Sequence, residues 1–432
     1  MSNSGTPATP SRSPAPLHAL SVAQQLPQSI VTLVSRHLTL DTSEQRRETF
    51  KDRQKDARNF ACVCRAWRAA GTAAVWREVE IVRSSAKQLV GHLEAHPELY
   101  KHVESATVEV CWSTLSRLDD SPGPAPVILA SCRRLGRLDI RGDVEQPGPF
   151  FQMLQSRLDL TKLVEISIVW DDAHGDHFCH QGAADRVVSS ILLFAFIRAC
   201  KNLRRFSYDG MHDYINESAT APVGRRIKLD ALTLDIKDTT STGPDDDTRA
   251  SIIRARFLVQ FDLARLVEFN AHVNLWDEQV KLALGRMVNL EKLRLLDDYG
   301  VYAEALDELA SPLECLNKLR ELQLTSADDD LVPDCPTSPD GLESVQVLLD
   351  ALPASLERLR LSVPLPEPMA QRFFDGRRTL ERFSTSVYDP LEVSPEPREE
   401  HWRKVVEDGP ALQQGGEVED GLGEGDAVQN EA

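Results

Sequence analysis

One spacing recurs along most of this chain: an apolar residue, two others, an apolar residue, one other, and an apolar residue. The copies are Leu135-Leu138-Ile140, Leu163-Ile166-Ile168, Leu203-Phe206-Tyr208, Leu229-Leu232-Leu234, Leu266-Phe269-Ala271, Leu290-Leu293-Leu295, Leu319-Leu322-Leu324, Leu356-Leu359-Leu361 and Leu380-Phe383-Thr385. Val103-Ala106-Val108 is an earlier member. The last two apolar positions alternate with other residues, which puts both on one side of a short strand. The leading residue then packs the turn into that strand. A single unit cannot bury its own apolar face, whereas stacked neighbours make a continuous core.

Helix-like stretches separate the copies. Ser84 and Ser85 precede Leu89, Val90 and Leu93, Ser189 or Ser190 precedes the apolar run from Ile191 to Ile197, and residues 342–352 read LESVQVLLDAL. Each is expected to pack an apolar side on the strands. Successive leading residues stand about 24 to 40 positions apart, wider than a regular repeat of roughly 20–29 residues, and no ladder of asparagines accompanies them. The expected fold is α/β, a solenoid of irregular repeats over residues 83–391.

A different pattern precedes it, over residues 25–82. Pro27 suits the first turn of a helix, where its missing N–H costs nothing, and Ile30, Val31, Val34 and Leu38 follow at helical spacing. A charged link, residues 39–56, leads to a second expected helix with Phe60, Ala61, Cys64 and Trp67 on one face. Val75-Trp76 comes next, and Val79 and Ile81 then alternate with charged residues, which signals a strand.

Here the residues resemble a known motif. Leu26-Pro27 with Ile30, then Val63-Cys64-Arg65-Ala66-Trp67-Arg68, then Val75-Trp76-Arg77-Glu78-Val79 occur in the order of the F-box, although the link between the first two pieces is longer than usual in that family. The repeats that follow, and the segment from His92 to Val110, resemble the irregular leucine-rich-repeat domains attached to many fungal F-box proteins. The resemblance implies a module that docks on the Skp-family adaptor of a cullin–RING ubiquitin ligase, with Leu26, Pro27, Ile30, Val63, Cys64 and Trp67 at matching motif positions. The repeat domain would then hold a protein target. The chain would be a substrate-recognition subunit without catalytic activity of its own. The alternative is a leucine-rich-repeat interaction scaffold with a degenerate F-box.

Composition narrows the partners. With 67 acidic and 49 basic residues the net charge is −18, which disfavours nucleic acid and anionic membrane surfaces and suits a neutral or basic protein. The eight cysteines are scattered, without a CxxC pair, and read as reduced thiols of a cytoplasmic or nuclear protein. Residues 1–24 are rich in proline, serine and threonine and lack the apolar core of a signal peptide. The longest apolar run, Val187 to Ile197, contains two serines and falls short of the ~20 residues that span a bilayer. Residues 392–432 are expected to form an acidic disordered tail, like residues 1–24 at the other end.

Little enzyme chemistry is written in the chain. GxxxxGK[ST], GxGxxG, GxSxG and HExxH are absent, so no cofactor is expected. His174, His177, Cys179 and His180 crowd into one short loop rather than the two spaced pairs usual for zinc, and read as a polar loop with no metal. Cys64 reads as a small buried hydrophobe. Acidic runs that follow the strand phrases stand out: Asp171-Asp172, Asp245-Asp246-Asp247, Asp297-Asp298 and Asp328-Asp329-Asp330. In stacked parallel strands such loops gather along one edge, an expected docking edge for a basic target segment.

Overall fold

The computed structural model describes residues 26–37, 50–82, 86–109, 124–142, 147–170, 183–211, 225–237, 254–272, 277–297, 306–326, 339–388 and 398–403. Helices α1 (Gln28–His37), α2 (Phe50–Cys62) and α3 (Arg65–Val75) come first, then strand β1 (Glu78–Ile81). Helices and strands then alternate: α4 (Ala86–Ala95), β2 (Ser105–Glu109), α5 (Pro124–Ser131), β3 (Arg137–Gly142), α6 (Pro147–Arg157), β4 (Glu165–Trp170), α7 (Ala183–Ala199) and β5 (Arg205–Met211). The series continues with β6 (Ala231–Lys237), β7 (Glu268–His272), α8 (Glu278–Leu284), β8 (Lys292–Asp297), α9 (Leu306–Glu314), β9 (Glu321–Ser326), α10 (Pro339–Ala351) and β10 (Arg358–Leu361). It closes with β11 (Leu365–Pro366), α11 (Glu367–Gly376), β12 (Arg382–Tyr388) and β13 (Arg398–Arg403).

The described strands form one sheet of thirteen. Strands β1 to β10 lie side by side in chain order, all parallel, and β10 and β11 pair with successive parts of β12. Strand β13 runs antiparallel to β12. The order never reverses, so right-handed crossovers carry every helix to the same face. Contacts between successive helices, α4 with α5, α5 with α6 and α6 with α7, then α8 with α9 and α9 with α10, agree with a single helical layer. The chain is therefore α/β, with a large parallel sheet, and its stacking is compatible with a solenoid-like fold.

The recurring apolar spacing explains the register. Leu138, Ile166, Phe206, Leu232, Phe269, Leu293, Leu322, Leu359 and Phe383 stand opposite one another across neighbouring strands. The positions two residues later make a second row, and the leading leucines a third. All are buried between the sheet and the helices. A fully buried side chain of this size contributes roughly 1.5–3 kcal/mol, and the rows join into one core that runs the length of the sheet.

The turn before most of the strands is built the same way. The N–H of the leading residue donates to the carbonyl three residues back, as in Leu135 to Cys132 (3.1 Å), Leu203 to Cys200 (3.1 Å) and Leu319 to Leu316 (2.9 Å). The next N–H donates to the same position of the preceding copy: Gly136 to Glu104 (2.8 Å), Val164 to Gly136 (2.7 Å), Arg204 to Val164 (2.8 Å), and so on to Glu381 on Glu357 (2.8 Å). Side chains add a second stitch from the residue just before the leading leucine. Asn202 Nδ2 donates to Thr161 O (2.6 Å), Asn289 Nδ2 to Ala264 O (2.6 Å), and Thr379 Oγ1 to Ala354 O (2.6 Å). Lys162 and Ser355 do the same to the carbonyls of Arg133 and Asn317. These exposed stitches tie the turn carbonyls of one copy to the next. Lysine, asparagine, serine and threonine all serve, which is why no single residue type recurs.

The N-terminal module departs from the expected single second helix. The chain breaks at Val63-Cys64, where Cys64 is extended (φ −162°, ψ 171°) as the N-cap of α3. Phe60 and Trp67, seven positions apart, would share one face of a continuous helix. The break instead folds α3 back on α2 and stacks the two rings with centroids 4.7 Å apart. Helix α2 also begins at Phe50, inside the charged link, whose sequence there holds neither glycine nor proline. Val31, Phe60 and Ala70 form a small core of their own, with Trp67 packed against it. Gln54 Nε2 ties the module to the sheet by donating to the carbonyls of Val75 (2.6 Å) and Glu78 (3.3 Å), and Trp76 stacks on His92.

Residues 398–403, expected within a disordered tail, form β13 instead. Trp402 stacks on Phe383 with ring centroids 5.2 Å apart and donates from Nε1 to Gln371 Oε1 at 3.0 Å. One aromatic side chain anchors a segment whose composition otherwise reads as unfolded. Among the described residues no helix is long and apolar enough to cross a membrane. The apolar run in α7 packs Phe194, Phe196 and Ile197 into the core.

Candidate functional site

Two surfaces stand out, one on the helical module and one on the sheet. On the module, α1 turns Val31 inward, 1% exposed, against α3. Leu26, Ile30, Leu33 and Val34 recur at the spacing of one helix side and face solvent, at 38%, 42%, 52% and 41% exposure. Val63, at the break between α2 and α3, is also exposed. The expected apolar face of Ile30, Val31 and Val34 is thus divided, with Val31 in the core and the other two outside; Leu38 lies outside the described residues. Leu33 was missed by the motif comparison, although its spacing from Leu26 and Ile30 was there to read.

The six motif residues take different roles. Leu26, Pro27, Ile30 and Val63 are exposed and available to a partner. Trp67 is half-buried, and its ring holds α2 and α3 together through Phe60. Cys64 is half-buried at the N-cap of α3 rather than within a helix face.

The second surface is the face of the sheet opposite the helices. Its rows are largely polar, and their charge is segregated. Counting only residues with described side chains, β1 to β6 present Glu78, Glu80, Glu109, Asp139, Glu165, Asp209 and Asp235 against Arg137, Arg141 and Arg205. Strands β7 to β12 present Lys292, Arg294, Arg358, Arg360 and Arg382 against Glu268 and Glu321. Glu321 sits among the cations, 2.7 Å from Arg294 Nη2 and 3.4 Å from Arg358 Nη1. Burial opposes its ionisation, but the hydrogen bond from Arg294 and the charges of Arg294, Arg358 and Lys292 outweigh that and hold its carboxyl below the usual glutamate range. An open depression of about 460 Å³ lies here, lined by Glu321, Gln323, Arg358, Arg360, Arg382 and Ser384 among others, with Trp402 at its side. Elsewhere on this face His272 Nδ1 lies 2.9 Å from Asp235 Oδ1.

The expected acidic edge is represented by one described residue. Asp297 ends β8 at 1% exposure, on the buried side of the strand, so it does not stand on an exposed edge. Asp171, Asp172, Asp298, Asp328, Asp329 and Asp330 lie outside the described residues, as do Asp245, Asp246, Asp247, His174, His177, Cys179 and His180. Among the described residues no group of three His, Cys, Asp or Glu side chains is placed to hold a metal ion.

No protein-family model matches the chain, and no curated protein matches it either.

Proposed function

We propose that the chain is a substrate-recognition subunit of a cullin–RING ubiquitin ligase, docking through residues 26–75 on the Skp-family adaptor and holding a protein target on the repeat domain. The carrying observation is the exposed apolar strip of Leu26, Ile30, Leu33 and Val34 on α1, on a module that already has its own small core. An unpartnered apolar strip of this kind on a polar-rimmed helix is the mark of an interaction site. The F-box resemblance supplies the partner, and the stacked leucine-rich copies supply the platform for the target. The chemistry would belong to the ubiquitin-conjugating enzyme, and this chain would act by proximity, raising the local concentration of target lysines.

A pull-down of the purified adaptor on the full chain tests the reading. Leu26→Glu with Ile30→Glu alters exposed positions and leaves the Val31–Phe60–Ala70 core intact. The adaptor is expected to be retained by the native chain and lost with the double variant. No retention, or equal retention by both, would sink the adaptor reading. The second reading, a leucine-rich-repeat scaffold with a degenerate F-box, is favoured by the start of α2 at Phe50 within the long charged link. It predicts target binding without adaptor retention.

A further inference from the structure

We infer that the helix-free face over β8 to β12 binds an acidic segment of a partner protein. The inference deepens the target-binding half of the proposed function and does not depend on adaptor docking. It differs from the basic target expected from the acidic loops, because those loops follow the strand ends while this surface is the sheet itself.

Three observations carry it. The register places Arg358 beside Arg382 on adjacent strands, with Arg360 one position further along the same face. At a strand spacing of ~4.8 Å these guanidinium groups converge on one short span. Next, Glu321 already shows how a carboxylate is held there, between Arg294 and Arg358. Its single charge leaves Arg360 and Arg382, both exposed, without an ion-pair partner among the described residues. Finally, the open depression gives an incoming chain access to the guanidinium groups from one side. Arginine presents paired N–H donors in a planar fork that matches carboxylate oxygens, so two or three side chains suffice to orient an extended acidic peptide.

Nucleic acid fits less well. The cationic span from β8 to β12 is only about three strand spacings wide, ~14 Å. It gives way to Glu268 on β7 and Asp235 on β6. A phosphate backbone crossing the face would run onto like charge.

The test is fluorescence anisotropy of the full chain at low salt with three probes: a short labelled peptide of alternating Glu and Ser, its Lys and Ser counterpart, and a short single-stranded oligonucleotide. The acidic peptide is expected to bind and the basic one to bind more weakly. Arg360→Glu with Arg382→Glu should weaken the acidic peptide by at least about tenfold, a change of roughly 1.4 kcal/mol. Glu321→Gln should tighten it severalfold by freeing Arg294 and Arg358, a gain that a merely structural role would not produce. Equal binding by the double arginine variant, or an oligonucleotide bound more tightly than the peptide, would overturn the inference. The chain's own residues 405–432 carry eight acids and no base, and β13, which precedes them in the chain, ends with Arg403 opposite Arg382. A full-length chain with those acids changed to their amides is therefore measured too. Binding seen only in that chain would make its own tail the occupant and overturn the partner reading. Adaptor retention is followed in the same samples: its loss with peptide binding intact would sink the proposed function and leave this inference standing.

Discussion

Gly71 of α3 lies against Ala61 of α2 so closely that a Cβ on Gly71 would fall 2.4 Å from the Ala61 Cα. The two helices touch backbone to backbone at this point, and only glycine allows it. Gly71→Ala should therefore force them apart, at a cost of about 1–3 kcal/mol typical of overpacking. Gly91 of α4 makes the control, since a Cβ there would meet nothing within 4 Å. Gly91→Ala should stabilise by about 0.5–1 kcal/mol through helix propensity. Urea denaturation of both variants checks the pair, and a Gly71→Ala chain as stable as the native one would contradict the close approach.

Asp277 does two jobs at the start of α8. Its Oδ1 accepts from the Gln279 N–H at 2.9 Å, capping the helix. Its Oδ2 lies 3.0 Å from Arg254 Nε, an ion pair whose side chains are 2% and 10% exposed and whose angle falls short of a hydrogen bond. Asp277→Ala should cost about 3–5 kcal/mol, because it strands a buried guanidinium. Asp277→Asn keeps the cap and should recover about 1 kcal/mol of that loss. Chemical denaturation of the two variants separates the contributions.

Thiol reactivity should divide the cysteines. Burial pushes Cys132 and Cys200 up to about 12, and each donates its S–H to the carbonyl four residues earlier, Ile128 and Phe196. At pH ~8 almost none of either is thiolate. Cys62 and Cys315 are exposed. Iodoacetamide followed by peptide mapping should find Cys62 and Cys315 modified in the native chain, and Cys132 and Cys200 only after denaturant is added. Rapid native labelling at Cys132 would contradict its burial at the start of the turn.

The depressed carboxyl of Glu321 makes its contribution pH-dependent. A folded value below the unfolded one, about 4.3, means that the carboxylate stabilises the fold above that pH. The contribution fades as pH falls through the folded value. The stability difference between the native chain and Glu321→Gln should accordingly be steady from pH ~7 to ~5 and shrink on acidification below about 4. Denaturation midpoints across that range measure it, and a difference independent of pH would show that the arginine cluster does not hold the charge.

Much of the sheet was legible in advance because its signal is local. Leu290, Leu293 and Leu295 lie within six positions, and each copy repeats the statement. The helix break at Val63-Cys64 was not legible, because Phe60 and Trp67 are spaced as they would be on one helix. The turn stitches were missed because the donors, Lys162, Asn202, Asn289, Ser355 and Thr379, share a position and a geometry but not a side chain. The segregation of charge on the open face was hidden for another reason. Arg358 and Arg382 become neighbours only once the register is known, and the net charge of −18, weighted by tail and loop acids, points the opposite way. On the module, motif matching alone did not separate Trp67, which holds the module together, from Ile30, which faces out.

Strand β13 has a consequence for the company the molecule keeps. A parallel stack of strands ends in an open row of backbone donors and acceptors, ready to accept another strand and, through it, another molecule. Here the last row is covered by a strand running the other way, with the sequence REEHWR and Trp402 fastening it to Phe383 and Gln371. The row of β12 that would have continued the stack into another molecule is thereby taken up within the chain itself.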